Sequence, residues 1–267
     1  MQLFGNQNKQ VETMDGRLIR MDQLLEKEES TISRKKAIAL ILLYFLVFTV
    51  GFPILLSILL FFIGSSFSTQ ESLLQFQMIT QTIYSLVVLV ASVYFGKDLL
   101  KESYFALRRH KLFFLLVSIV LWVIMLYSVG VVSMLVSTIT EEITSQNQKA
   151  VVSMVTSFPA FGVYYTVIFA PIVEELVFRG AIFRWLRTQK GFGFAMLVSC
   201  FLFAAMHVLI SVSSGNYLDL VNIFVYGVMA AYLCLAYEVT GSIYCPILIH
   251  FLNNLISIIV ILMGLSA

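Results

Sequence analysis

Long apolar runs alternate with short polar stretches along the 267 residues of this chain. A helix needs about 20 apolar residues to cross a bilayer. Runs of that kind fall at 37–63, 74–96, 112–138, 158–186, 192–211, 218–237 and 243–265. The pattern predicts an all-α fold, a polytopic integral membrane bundle of seven transmembrane helices, or eight if the first run breaks at Pro53 or the fourth near Pro171. Residues 1–36 differ in kind. They are polar and mixed in charge, with 21–30 (MDQLLEKEES) reading as a short exposed helix and Arg34-Lys35-Lys36 abutting the first run. This stretch is too long and too charged for a cleavable signal peptide, so the first run reads as an uncleaved anchor. The domain reading is a cytosolic polar segment at 1–36, peripheral transmembrane helices 1–3 within 37–140, and a core at 155–267.

Composition strengthens the membrane assignment. Hydrophobic residues make up 60% of the chain and charged residues 12%, with mean hydropathy +0.93; soluble domains run nearer 45–50% and about 25%. A net charge of +2, with no basic run interleaved with aromatics, excludes nucleic acid as a partner and leaves membrane lipids. Cys200, Cys234 and Cys245 sit in apolar surroundings without CxxC spacing, so they read as small buried side chains. Lys and Arg set orientation. Arg34-Lys35-Lys36, then Lys97, Lys101, Arg108, Arg109 and Lys111, then Arg184, Arg187 and Lys190 fall in every second connection. The expectation is a multi-pass cell-membrane protein with a cytosolic N-terminus.

Against that background, 170–186 (APIVEELVFRGAIFRWL) is anomalous. A carboxylate at the centre of a membrane helix costs about 2.5–3.5 kcal/mol on insertion scales. Glu175 and Arg179 are four residues apart and share a helix face, so they can offset each other's desolvation. Glu174 lies about 100° around the helix and cannot easily use the same arginine. A structural ion pair explains two of the three charges. The remaining carboxylate suits a group that accepts a proton and later returns it.

Three histidines are present. His110 lies in a basic connection and reads as solvated. His207 and His250 lie inside apolar runs. Phe203 and His207 share one helix face, as do His250 and Asn254; Asn253 points elsewhere and is the weaker candidate. Counting 1.5 Å per residue from the span ends places Glu174, His207 and His250 inside the hydrocarbon slab, on three different helices.

These residues resemble the CPBP (Abi) family of intramembrane proteases, to which the type II CAAX prenyl endopeptidases belong. The family pattern is EExxxR, FxxxH and HxxxN or HxxxD on separate membrane helices. Here it reads Glu174-Glu175 with Arg179, Phe203 with His207, and His250 with Asn254, and the resemblance covers roughly 155–260. It implies a peptidase cutting within or beside the membrane. By carry-over, Glu174 is the general base that activates water and His207 holds that water. His250 and Asn254 stabilise the oxyanion, and Glu175, Arg179 and Phe203 are structural or orienting.

A cofactor is not favoured. The chain has no HExxH. Glu174, His207 and His250 would be the ligands if zinc were present, but the base would then have to come from elsewhere, and Glu175 is committed to Arg179. The leading expectation is therefore a glutamate/histidine endopeptidase acting on a peptide or protein delivered from the membrane, such as a secreted peptide precursor. The rivals are a non-catalytic immunity or assembly factor and a proton-coupled transporter, the latter weakened by the lack of repeat halves. The stretch 137–157 could cap the site; the simpler expectation is an ordinary surface loop with an interfacial helix.

Overall fold

The computed structural model describes residues 10–12, 18–20, 32–142 and 144–264. The chain forms two compact units, 1–31 and 32–267. In the first, strands β1 (Gln10–Glu12) and β2 (Leu18–Arg20) pair antiparallel, with Val11 opposite Ile19. Three-residue strands are too short to leave a visible alternation, and this hairpin was not expected. The helix expected at 21–30 lies outside the described residues.

The second unit is helical. Its helices are α1 (Arg34–Ser66), α2 (Gln70–Arg109), α3 (Lys111–Thr140), α4 (Gln146–Ser157), α5 (159–190), α6 (Phe192–Ser213), α7 (Ile223–Thr240) and α8 (Tyr244–Leu262). A 3₁₀ turn, Tyr217–Asn222, leads into α7. Among the described residues six helices are long and apolar enough to cross a membrane: α1, α2, α3, α6, α7 with its leading turn, and α8. The expected fourth span is α5. It is continuous over 159–190 but alternates between α and π geometry.

Neither expected proline break occurs. Proline lacks an N–H and its ring clashes with the carbonyl four residues back. A π-helical segment precedes each one, Leu43–Gly51 before Pro53 and Tyr164–Phe169 before Pro171. There the N–H of Phe52 reaches Val47 O, and that of Ala170 reaches Tyr165 O, five residues back. The wider ladder carries both helices through their prolines instead of ending them.

The packing is inside-out relative to a soluble bundle. The buried stripe of α2 is mostly small: Ser85, Val88, Ser92, Gly96, Leu99 and Ser103. Its outer face carries Val87 and Val90, 63% and 68% exposed. Small residues inside and large apolar ones outside suit helices that pack closely while facing lipid. A Cβ on Gly96 would lie 2.8 Å from Leu176 Cδ2, and one on Gly180 2.6 Å from Leu99 Cδ2. Leucines from α2 and α5 thus seat on each other's glycines. From Leu176 to Arg184 every residue of α5 is buried, which makes α5 the central helix.

Polar contacts gather the basic helix ends. Lys36 at the start of α1 pairs with Asp98 of α2. Arg184 of α5 pairs with Glu102 of α2 at 3.3 Å. Ser242 Oγ, just before α8, donates to Ser103 O at 3.1 Å. The start of α1 and the end of α2 therefore lie at one end of the bundle with the end of α5 and the start of α8.

Candidate active site

Glu175 and Arg179 form the buried pair that their spacing implies. Arg179 Nη1 donates to Glu175 Oε1 at 2.9 Å, with both side chains fully buried. Arg179 Nη2 donates to Ala230 O of α7 at 3.0 Å, and the guanidinium lies 4.7 Å over the Phe203 ring. Phe203 thus serves as a cation–π platform. Glu175 is not committed to Arg179 alone, however. His250 Nδ1 lies 2.9 Å from the same Oε1. A carboxylate accepts, so Nδ1 carries the proton and Nε2 is turned away from Glu175. Helices α5, α6, α7 and α8 meet in this one network.

Glu174 faces the other way. It lines a cavity of about 400 Å³ together with His207, His250 and Asn254. Its Oε2 lies 4.0 Å from His250 Nε2. That is too long for a direct hydrogen bond, but one water with ordinary bonds of about 2.8 Å to each atom spans it. Oε2 is buried without a hydrogen-bond partner among the described residues, and a buried carboxylate oxygen calls for one. The other oxygen, Oε1, lies 3.5 Å from the Tyr44 hydroxyl of α1.

His207 is fixed by its own helix. Its Nδ1 lies 2.8 Å from Phe203 O, the carbonyl one turn back. A carbonyl only accepts, so Nδ1 is protonated and the neutral ring offers an unprotonated Nε2. The ring lies between Phe203, at 4.4 Å, and Tyr226, at 4.5 Å.

Asn254 lines the cavity, yet its amide nitrogen is engaged. Nδ2 donates to Thr166 O at 2.8 Å. In the π register that gives Ala170 N–H to Tyr165 O, the next donor would be Pro171, which has none, and its partner would be Thr166 O. Asn254 supplies the hydrogen bond that Pro171 cannot, and so clamps α8 to α5. Asn253, expected to point elsewhere, lines the same cavity and donates to Asn254 Oδ1 at 3.3 Å.

Two contributions were not anticipated. Helices α1 and α2, read as peripheral, supply Tyr44, Thr49 and Gln81 to the cavity wall. The stretch 137–157 carries the expected short helix, and α4 also lines the cavity with Asn147, Gln148 and Val151. Its tethers are distant. Ser145 Oγ bonds Tyr226 OH at 2.7 Å. Gln146 N–H donates to Asp219 Oδ1 at 3.1 Å, and Gln148 Nε2 to Ser257 Oγ at 3.0 Å. Gly162 lets α4 fold back, since a Cβ there would lie 2.8 Å from Val155 Cα. His110 is exposed at the α2–α3 junction, and the three cysteines are free.

A metal fits poorly. Donors on one tetrahedral zinc lie about 3.3 Å apart, given bonds of about 2.0–2.1 Å; Glu174 Oε2 and His250 Nε2 are 4.0 Å apart. No three His, Cys, Asp or Glu side chains among the described residues are grouped to hold a metal ion.

The comparisons bear on the segment that carries most of these residues. Residues 156–256 match the family model for the Rce1-like, type II CAAX prenyl endopeptidases. Over this segment, 38% of its length, the chain is similar to that family. A similar protein is YdiL of Bacillus subtilis (strain 168), named as a candidate membrane peptidase, 28% identical over 110 residues. That alignment takes in 41% of this chain and 41% of YdiL, so the match spans about two fifths of the relative's length. No solved structure matches the chain. The matched segment runs from the end of α4 into α8; Tyr44, Gln81 and the body of α4 are contributed from outside it.

Proposed function

We propose that this protein is an intramembrane endopeptidase, hydrolysing a peptide bond in a membrane-delivered peptide or protein with a water activated by Glu174. The observation that carries the reading is the contrast between adjacent carboxylates. Glu175 holds Arg179 and His250 on its Oε1 and does not line the cavity, whereas Glu174 lines it with an oxygen that has no partner among the described residues. Glu174 takes a proton from the water as its oxygen bonds to the scissile carbonyl carbon. It returns that proton to the amide nitrogen as the C–N bond breaks. The neutral His207 orients the water by accepting at Nε2. His250, when it carries a second proton, donates from Nε2 to the oxyanion and is held for that by Glu175. Asn254 contributes by fixing the π turn at Thr166, and its second amide hydrogen is available to the oxyanion. No step is routed through a metal.

The basic helix ends lie together, which supports a multi-pass arrangement with a cytosolic N-terminus; short loops and a compact chain resemble bacterial members of the family and suit a bacterial plasma membrane. On that orientation α4 covers the cavity from the outer side, and a secreted peptide precursor is the substrate class that suits it. The test is co-expression of membrane-tethered precursor peptides with the wild type or Glu174→Gln. Mass spectrometry should find the cleavage product with the wild type only. Equal product from both would refute the catalytic assignment. Product from neither, with full biological protection by both, would favour the immunity-factor reading.

A further inference from the structure

We propose that the crevice walled by α2, α3, α5 and α8 binds one anionic phospholipid, with its acyl chain lying along α5 and α8 and its phosphate held between Arg108 and Lys111. The crevice measures about 690 Å³, larger than the polar cavity on the other side of α5. Its walls include Phe114, Leu115, Ile168, Pro171, Leu248 and Phe251, and no carboxylate lines it. Below the mouth such a lining suits a hydrocarbon chain and offers a polar peptide few hydrogen-bonding partners.

The charge lies at one end. Arg108 closes α2, Lys111 opens α3, and both line the mouth with Tyr104 and Tyr244. This is the end of the bundle where the other basic helix ends gather. Both cations are exposed and neither has an ion-pair partner among the described residues. The nearest acid on α2, Glu102, is taken by Arg184 at 3.3 Å. Lys97 and Lys101, on the same helix, do not line the crevice. From Lys111 to Ser118 on α3, and from Tyr244 to Phe251 on α8, the wall descends seven residues, or about 10 Å. A cationic mouth above an apolar slot between helices matches an anionic headgroup on an acyl chain. The assignment stands whether or not the polar cavity is catalytic.

The test uses the full chain, purified in an uncharged detergent and exposed to an equimolar mixture of phosphatidylglycerol and phosphatidylcholine. Native mass spectrometry then counts the lipid retained after washing. The wild type should keep one phosphatidylglycerol per chain, with at least tenfold preference over phosphatidylcholine. The Arg108→Gln/Lys111→Gln pair should lose about tenfold of that retention. Arg108→Lys/Lys111→Arg should restore it, and so guards against a folding artefact. Leu115→Trp, which fills the slot and leaves the cations, should lose it as well. Lys97→Gln/Lys101→Gln removes the same charge from α2 outside the crevice and should change nothing. Equal retention of phosphatidylcholine would overturn the proposal. So would an equal loss in the Lys97/Lys101 pair, which would mean diffuse attraction to the surface, or full retention in Leu115→Trp.

Discussion

The two cavities flanking α5 are built under different constraints. Below its cationic mouth the apolar crevice is walled mostly by side chains that cost little to place beside lipid. The polar cavity lies among buried polar side chains, where every donor and acceptor needs a partner. Its surroundings show how that is met. Arg179 is shared between Glu175 and Ala230 O, His250 is tied to Glu175, His207 to Phe203 O, and Asn254 to Thr166 O. After those pairings Glu174 Oε2, Glu175 Oε2, Arg179 Nε and Thr166 Oγ1 are still without a partner among the described residues, and of the two carboxylates only Glu174 lines the cavity. The difference teaches where to look for chemistry in a membrane bundle: at the polar group left over once structural needs are met, rather than in the largest cavity.

Substitutions can break or sharpen this contrast. The largest effect on the fold is expected from Arg179→Met. It strands Glu175 as a buried charge and should destabilise the protein by about 3–5 kcal/mol, read as a large drop in melting temperature in detergent. Arg179→Lys should not rescue it, because a single ammonium cannot reproduce the planar fork that serves Glu175 and Ala230 O together. Next comes Gly180→Ala. Its methyl would meet Leu99 at 2.6 Å, and the overpacking should cost about 1–3 kcal/mol. Asn254→Ala leaves Thr166 O without its donor. It should cost about 1–3 kcal/mol and lower cleavage through a relaxed π turn. The smallest effect belongs to Gln148→Ala. Loss of one partly buried hydrogen bond to Ser257 should cost about 0.5–1.5 kcal/mol and raise KM more than it lowers kcat. If filling the crevice with Leu115→Trp stopped cleavage as fully as any of these, the two cavities would not be independent and the contrast would fall.

Much of this was legible in the sequence, for physical reasons. The spans follow from apolar run length, which the bilayer fixes. The Glu175–Arg179 pair follows from i,i+4 spacing within one helix. The convergence of His207, His250 and Glu174 on one cavity was suggested by their residue types in an apolar setting, and is placed by the fold. What was not legible depends on partners far away in the chain. Pro171 looks like a break until Asn254, 83 residues on, serves the carbonyl it orphans. The α4 cap depends on Asp219, Tyr226 and Ser257, and no local pattern in 137–157 names them. Tyr44 lies on a helix outside the family match, in an apolar run where a tyrosine carries no special signal. The sharing of Glu175 between Arg179 and His250 could not be read from a spacing that already satisfied the carboxylate.

The most direct measurement sets the two adjacent carboxylates against each other in one preparation. Glu174→Gln and Glu175→Gln are purified side by side. Each is assayed for cleavage of a membrane-tethered peptide that the wild type cuts, and for melting temperature in the same detergent. Glu174→Gln should melt with the wild type and lose about 10²–10⁴ in rate, the usual range for a general base. Glu175→Gln should melt markedly lower. A Glu174→Gln protein that cleaves at the wild-type rate, or one that unfolds as readily as its neighbour, would contradict the account.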